Sequence, residues 1–132
     1  MTRLNTNDLI GIPYLRNGAD PSTGFDCWGL VSYALRMMGR DTPAYRAVAS
    51  LPDSYALMTQ QVAGGDWIED DAADGNVVAF FRRRWVAHVG LYVGGDVLHT
   101  GEGAGVLLQP LARVLRSNGY TEARFYRWRE WV

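Results

Sequence analysis

The chain holds one cysteine and two histidines, and all three stand where thiol chemistry would use them. Cys27 lies in Gly24-Phe25-Asp26-Cys27-Trp28-Gly29-Leu30, at the expected first turn of a helix. His88 and His99 lie on two short apolar runs joined by Gly94-Gly95. A thiol attacks as its thiolate, so it needs a lowered pKa or a base to take its proton. A helix N-terminus offers unpaired backbone N–H groups and about half a positive charge. With Asp26 as the cap, the sequence therefore predicts a lowered pKa for Cys27. A buried structural cysteine is the competing reading of a lone thiol; a helix start after a glycine-rich loop weighs against it.

The histidines read as a base and its orienter. A two-residue turn at Gly94-Gly95 pairs Val93 with Asp96, and continuing the register sets His88 opposite Gly101 and His99 opposite Gly90. The two histidines then share one face as diagonal neighbours, about 7–8 Å apart at the backbone. Val89, Leu91 and Val93 point the other way, into a core. One ring would accept the thiol proton while the other holds its tautomer. His88, in mid-strand, is the expected base and His99 the orienter. Each histidine alone reads as an ordinary strand residue; the pair on one face, with the helix-start cysteine, reads as a site. Zinc is the rival chemistry for two histidines and a cysteine, but no Asp or Glu is evidently placed to complete the set.

The elements that must position these residues follow from pattern. Residues 5–11 predict a short helix, stopped by Gly11-Ile12-Pro13, and 14–25 a polar, glycine-containing loop. Asp26 then caps a helix on which Leu30, Val31, Ala34, Leu35 and Met38 recur at helical spacing, ended by Gly39. A second helix is expected over 52–63, with Pro52 in its first turn and Gly64-Gly65 closing it. Residues 66–76, rich in Asp and Glu, read as solvated. Strands are expected over 76–81, 85–93, 96–100, 106–109 and 122–131, with a short helix over 111–117. Helices first and a meandering sheet afterwards give α+β rather than alternating βαβ.

Composition bounds the rest. The 132 residues suit a single domain spanning 1–132. A hydrophobic content of 48%, a charged content of 20% and a net charge of −1 suit a globular protein and argue for neither nucleic acid nor an anionic membrane surface as partner. One cysteine excludes an intrachain disulfide. The polar start, Met1-Thr2-Arg3-Leu4-Asn5-Thr6-Asn7, has no secretory signal, and no apolar run approaches the ~20 residues that cross a bilayer. No membrane insertion is expected.

The successive blocks Gly11-Ile12-Pro13-Tyr14, Gly24-Phe25-Asp26-Cys27-Trp28-Gly29-Leu30-Val31, Asp74-Gly75-Asn76-Val77-Val78, Ala87-His88-Val89-Gly90-Leu91-Tyr92-Val93 and Val97-Leu98-His99-Thr100 resemble the motifs of the NlpC-type cell-wall cysteine peptidases. Tryptophan after the cysteine and the small size look most like members encoded among bacteriophage tail genes. The resemblance implies a papain-like α+β fold, with N-terminal helices packed on an antiparallel β-sheet. It implies hydrolysis of a peptidoglycan stem-peptide bond, typically γ-D-glutamyl to diamino acid, without metal or other cofactor. It makes Cys27 the nucleophile, His88 the base and His99 the third polar residue, and matches Tyr14 to an active-site tyrosine. The partners implied are stem peptides and phage tail proteins. The location implied is synthesis in the bacterial cytoplasm, carriage in a tail or phage-like particle, and action in the cell wall. Two departures stand out: Trp28 replaces a common serine linked to binding a free stem-peptide amine, and Ala73 stands where proline is common.

Around this site, Tyr14 is a candidate oxyanion donor or substrate contact, and equally a core aromatic. Asp26 reads as a helix cap before a catalytic acid, and Trp28 as groove lining or core cover. Arg82-Arg83-Arg84 reads as a solvated hairpin end, and Phe125–Trp131 as an edge strand, secondarily a docking surface. The rival functions are a tail-tip assembly part with little activity and a thiol acyltransferase or amidase on the same fold.

Overall fold

The computed structural model describes residues 4–42 and 64–131; the helix expected over 52–63 lies outside them. The N-terminal segment forms a short 3-10 turn, Thr6–Asp8, capped by the Asn5 side chain, where a helix over 5–11 is expected. Part of the 14–25 loop is a small hairpin, β1 (Ala19–Asp20) and β2 (Gly24–Phe25). The helix α1 runs Cys27–Met37 with Asp26 as its cap.

A six-stranded antiparallel sheet follows: β3 (Trp67–Asp70), β4 (Val77–Arg82), β5 (Trp85–Val93), β6 (Asp96–Gly101), β7 (Gly105–Pro110) and β8 (Glu122–Trp128), with helix α2 (Leu111–Ser117) before the last strand. Their order is β3-β8-β4-β5-β6-β7. Two expectations are corrected here. The acidic stretch contains the strand β3, because Trp67 is buried and Glu69 and Asp70, opposite Tyr126 and Phe125, pair diagonally with Arg124 and Arg127. The C-terminal strand β8 is consequently interior, between β3 and β4; its arginines stay solvent-exposed and pair with the acidic neighbour at the surface. These exposed pairs each contribute under about 1 kcal/mol, so Trp67 packed on Trp128 is the stronger anchor.

Period-two alternation divides the sheet's side chains between two cores. On one face α1 packs Leu30, Val31, Ala34 and Leu35 against Val89, Leu91, Leu98 and Val106. The other gathers Val78, Phe80, Val97 and Val114 of α2. Full burial of a leucine-sized side chain contributes about 1.5–3 kcal/mol, so these two clusters fix which way each strand faces.

Two irregularities shape the middle of the sheet. Between β4 and β5 the register shifts: Phe81 pairs with Val86 but Phe80 with His88, leaving Ala87 as an extra residue. A bulge of this kind re-aims the side chains beyond it. Here it places Val86 with the α1 core and His88 with Phe80 on the α2 side. Between β5 and β6 the turn forms as expected, Val93 opposite Asp96, with Gly94 and Gly95 both at positive φ. The ladder then ends at Leu91–Leu98. His88 and His99 therefore lie just past the last ladder pair, and the expected pairings with Gly101 and Gly90 do not form.

Close backbone approach sets the start of α1. Asp26 N–H donates to the Gly18 carbonyl at 3.0 Å, and a Cβ on Gly29 would collide with that same carbonyl oxygen. Gly29→Ala is expected to destabilise the fold by about 1–3 kcal/mol, the usual cost of forcing an extra carbon into a packed site. Urea unfolding followed by circular dichroism checks this: the midpoint should drop. An unchanged midpoint would mean that the loop yields freely.

Candidate active site

Cys27 is the first residue of α1, and the Asp26 carboxylate accepts a hydrogen bond from Gly29 N–H at 2.6 Å. The sequence's helix start is thus reproduced, but its electrostatic corollary is reversed. Burial pushes the Cys27 thiol up to about 11, and the Asp26 charge adds to the rise; hydrogen bonds from the N–H groups of Val89, Trp28 and Cys27 itself only partly oppose them. Desolvation of the thiolate outweighs the helix terminus, and the cap that secures the helix also sets a carboxylate beside the sulfur.

The two histidines meet directly. His88 Nε2 and His99 Nδ1 lie 3.0 Å apart, and both residues are buried. The shared face predicted from alternation is the α2 face: His88 stacks on Tyr120, their rings parallel with centroids 5.9 Å apart, and packs against Phe80 at 5.7 Å. Burial drives the His88 pKa down to about 3, with His99 and then Arg82 adding to the depression. Burial lowers His99 as well, opposed by its hydrogen bond to Gln109.

Cys27 packs against the α1-side core, so the sulfur and the imidazoles approach from opposite faces of the sheet. Among the described residues no hydrogen bond joins Cys27 to His88. What links them is β5: the thiol accepts from the main-chain N–H of Val89, the residue after His88. That contact falls beyond the last β5–β6 ladder pair, where Val89 is paired with Ala79 of β4 but with no residue of β6.

The other candidates separate by place. Tyr14 bridges to Phe25; burial chiefly raises its hydroxyl pKa, and Cys27, Asp26 and Glu102 raise it further, against Arg16. Its hydroxyl is therefore within electrostatic reach of the thiol. Asp26 is the α1 cap, its carboxyl pKa raised by burial. Trp28 packs edge-on against Trp67 with ring centroids 5.6 Å apart and covers the core. The Arg82–Arg84 turn is exposed. Among the described residues, no three His, Cys, Asp or Glu side chains gather into a metal-holding group, and no helix is long and apolar enough to cross a membrane.

Sequence reasoning missed two neighbours of the pair. Gln109 places Oε1 2.9 Å from His99 Nε2, and Tyr120 covers His88. The signal for Gln109 was a lone polar residue in an otherwise apolar strand opposite the His99 run. Tyr120 follows the turn after α2 and carried none.

Residues 11–127 match the NlpC/P60 family. The murein DD-endopeptidase MepH of Escherichia coli (strain K12) is 34% identical over 101 residues, covering 70% of this chain and 33% of that protein. The bifunctional muramidase/DL-endopeptidase CwlT of Bacillus subtilis (strain 168) is 29% identical over 99 residues, covering 73% of this chain and 27% of that protein. Among solved structures, the peptidoglycan hydrolase RipB of Mycobacterium tuberculosis is 26% identical with a TM-score of 0.55, covering 92% of this chain and 59% of that one. The chain spans about a third or less of the two curated relatives.

Two pH experiments test the electrostatics. With the thiol pKa near 11, the rate of Cys27 alkylation by iodoacetamide should rise about tenfold per pH unit through neutrality and past pH 9; a plateau near pH 7 would show a stabilised thiolate. For His88, a folded pKa depressed to about 3 lies below the unfolded value of about 6.5. Its contribution to stability is complete above the unfolded pKa and is lost as pH falls toward 3. The wild-type urea midpoint should fall between pH 7 and 4, and His88→Phe, which keeps a ring against Phe80 and Tyr120, should flatten that fall. An equal fall in both proteins would assign it to other groups.

Proposed function

The chain belongs to the NlpC/P60 family, and from that membership and the geometry around Cys27 we propose that it is a cysteine peptidase hydrolysing a stem-peptide bond of peptidoglycan. The observation that carries the reading is the placement of Cys27 at a capped helix start, its thiol against Val89 N–H, one residue along β5 from an imidazole already paired to a second.

The chemistry is acyl transfer. As Cys27 Sγ bonds to the stem carbonyl carbon, the thiol proton passes to His88 Nδ1. Burial disfavours both the thiolate and the imidazolium, so proton transfer accompanies attack rather than preceding it. The carbonyl electrons move to oxygen, which accepts from Cys27 N–H and the Tyr14 hydroxyl; one such donor is worth about 3–4 kcal/mol. Collapse breaks the C–N bond, and His88 returns its proton to the leaving amine. Water, deprotonated by His88, then hydrolyses the thioester and restores the thiol.

The bond we propose is γ-D-glutamyl to diamino acid, a D,L linkage like that named for the Bacillus relative; the Escherichia relative is named for a D,D linkage. The tryptophan after the cysteine supports a phage tail or related particle as the carrier. Detection of the chain by mass spectrometry in purified tails checks this, and its absence from such particles would remove that part of the proposal.

Digestion of purified peptidoglycan, read by mass spectrometry, tests the activity and the bond together. Wild type should release stem-peptide fragments ending in D-glutamate, and Cys27→Ala should lower release by at least about a thousandfold. Equal release by both proteins would overturn the assignment of the nucleophile. Fragments ending in D-alanine would replace the D,L bond by the D,D one.

A further inference from the structure

The strand β7 places an uncharged amide at the far end of the histidine pair. In the β6–β7 register His99 faces Leu107 and Val97 faces Gln109. Gln109 therefore shares the face of His99 and reaches it diagonally, as long side chains do across antiparallel strands. The result is a continuous chain: Gln109 Oε1 to His99 Nε2 at 2.9 Å, and His99 Nδ1 to His88 Nε2 at 3.0 Å. Both imidazoles are buried.

We propose that Gln109 is a positioning residue that sets the tautomers of both histidines, leaving the lone pair of His88 at Nδ1. An amide oxygen only accepts, so His99 Nε2 carries the hydrogen. A neutral imidazole has one N–H, so His99 Nδ1 is bare and accepts. His88 Nε2 must then donate, and its single hydrogen is used. The lone pair left on His88 is at Nδ1, the nitrogen turned away from His99. Were the Gln109 amide reversed, its NH2 would donate to His99 Nε2. Every hydrogen in the chain would then reverse, leaving His88 protonated at Nδ1 and unable to accept there. One side chain thus decides whether the base is available, without touching the reacting atoms.

The amide also fits the electrostatics. It orders the pair without supplying a negative charge that would hold an imidazolium between turnovers. When His88 gains a proton at Nδ1, its Nε2–H bond to His99 is undisturbed, so the chain serves both protonation states.

The inference rests on His88 acting as the base, but its principal readout is independent of peptidase activity. Protein labelled with 15N in its imidazoles, examined by long-range 1H–15N correlation near pH 7.5, should show both histidines protonated at Nε2 and bare at Nδ1. In Gln109→Leu both rings should become tautomer mixtures, while kcat falls about tenfold to a hundredfold, the usual range for an orienting partner, and KM holds. Gln109→Glu keeps an acceptor, so the Nε2–H pattern should persist, the histidine pKa values should rise, and the acid limb of the pH–kcat profile should move to higher pH. Wild type protonated at His88 Nδ1, or Gln109→Leu with both tautomers unchanged, would overturn the role. If the tautomers follow this pattern but peptidoglycan is not cleaved, the positioning role stands and the peptidase reading fails.

Discussion

The site depends on where the β5–β6 ladder stops. Two strands joined by a tight Gly94-Gly95 turn would ordinarily zip together, closing the sheet over the place where Cys27 meets Val89. Pairing ends instead at Leu91–Leu98, and the bulge at Ala87 has already turned His88 toward Phe80. The end of the ladder leaves the Val89 N–H to the thiol, and just past it the imidazoles of His88 and His99 meet. The two cores fix the register of the turn: Leu91 and Leu98 are committed to the α1 side, Phe80 and Val97 to the α2 side. A slip of one residue in the β5–β6 register would carry each set to the wrong face.

Burial gives the site its resting state. A thiol near 11 and an imidazole near 3 leave both groups neutral across the physiological range, rather than poised as an ion pair. The same apolar packing that fixes the geometry sets these values, so order and reactivity oppose one another until a substrate carbonyl takes up the developing charge. Asp26 shows the conflict within one residue. Its carboxylate secures the helix that presents Cys27 and also makes the thiolate harder to form.

Local chemistry made much of this legible in the sequence. The α1 start follows from Asp26 as cap, and β5 and β6 from alternation on either side of the double glycine. The shared face of the histidines follows from period two alone. What escaped was set by distant partners. The strand β3 was hidden by its acidic composition, since its justification is the arginines of β8 and the burial of Trp67. The interior place of β8 was hidden for the same reason. The bulge at Ala87 puts Val86 and His88, two residues apart, on opposite faces, which no local pattern declares. Gln109 reaches His99 only through the β6–β7 register. The direction of the Cys27 pKa was missed because the helix terminus is visible in a sequence and desolvation is not.

The central claim is that Cys27 carries the acyl group and His88 moves the proton. Rapid-quench intact-mass analysis during turnover of a synthetic stem peptide measures this directly. The account predicts a transient adduct equal to the acyl fragment, mapped to the Cys27 peptide, with its formation slowed by orders of magnitude in His88→Ala. Turnover at the wild-type rate in His88→Ala, or an adduct mapped to another residue, would contradict it.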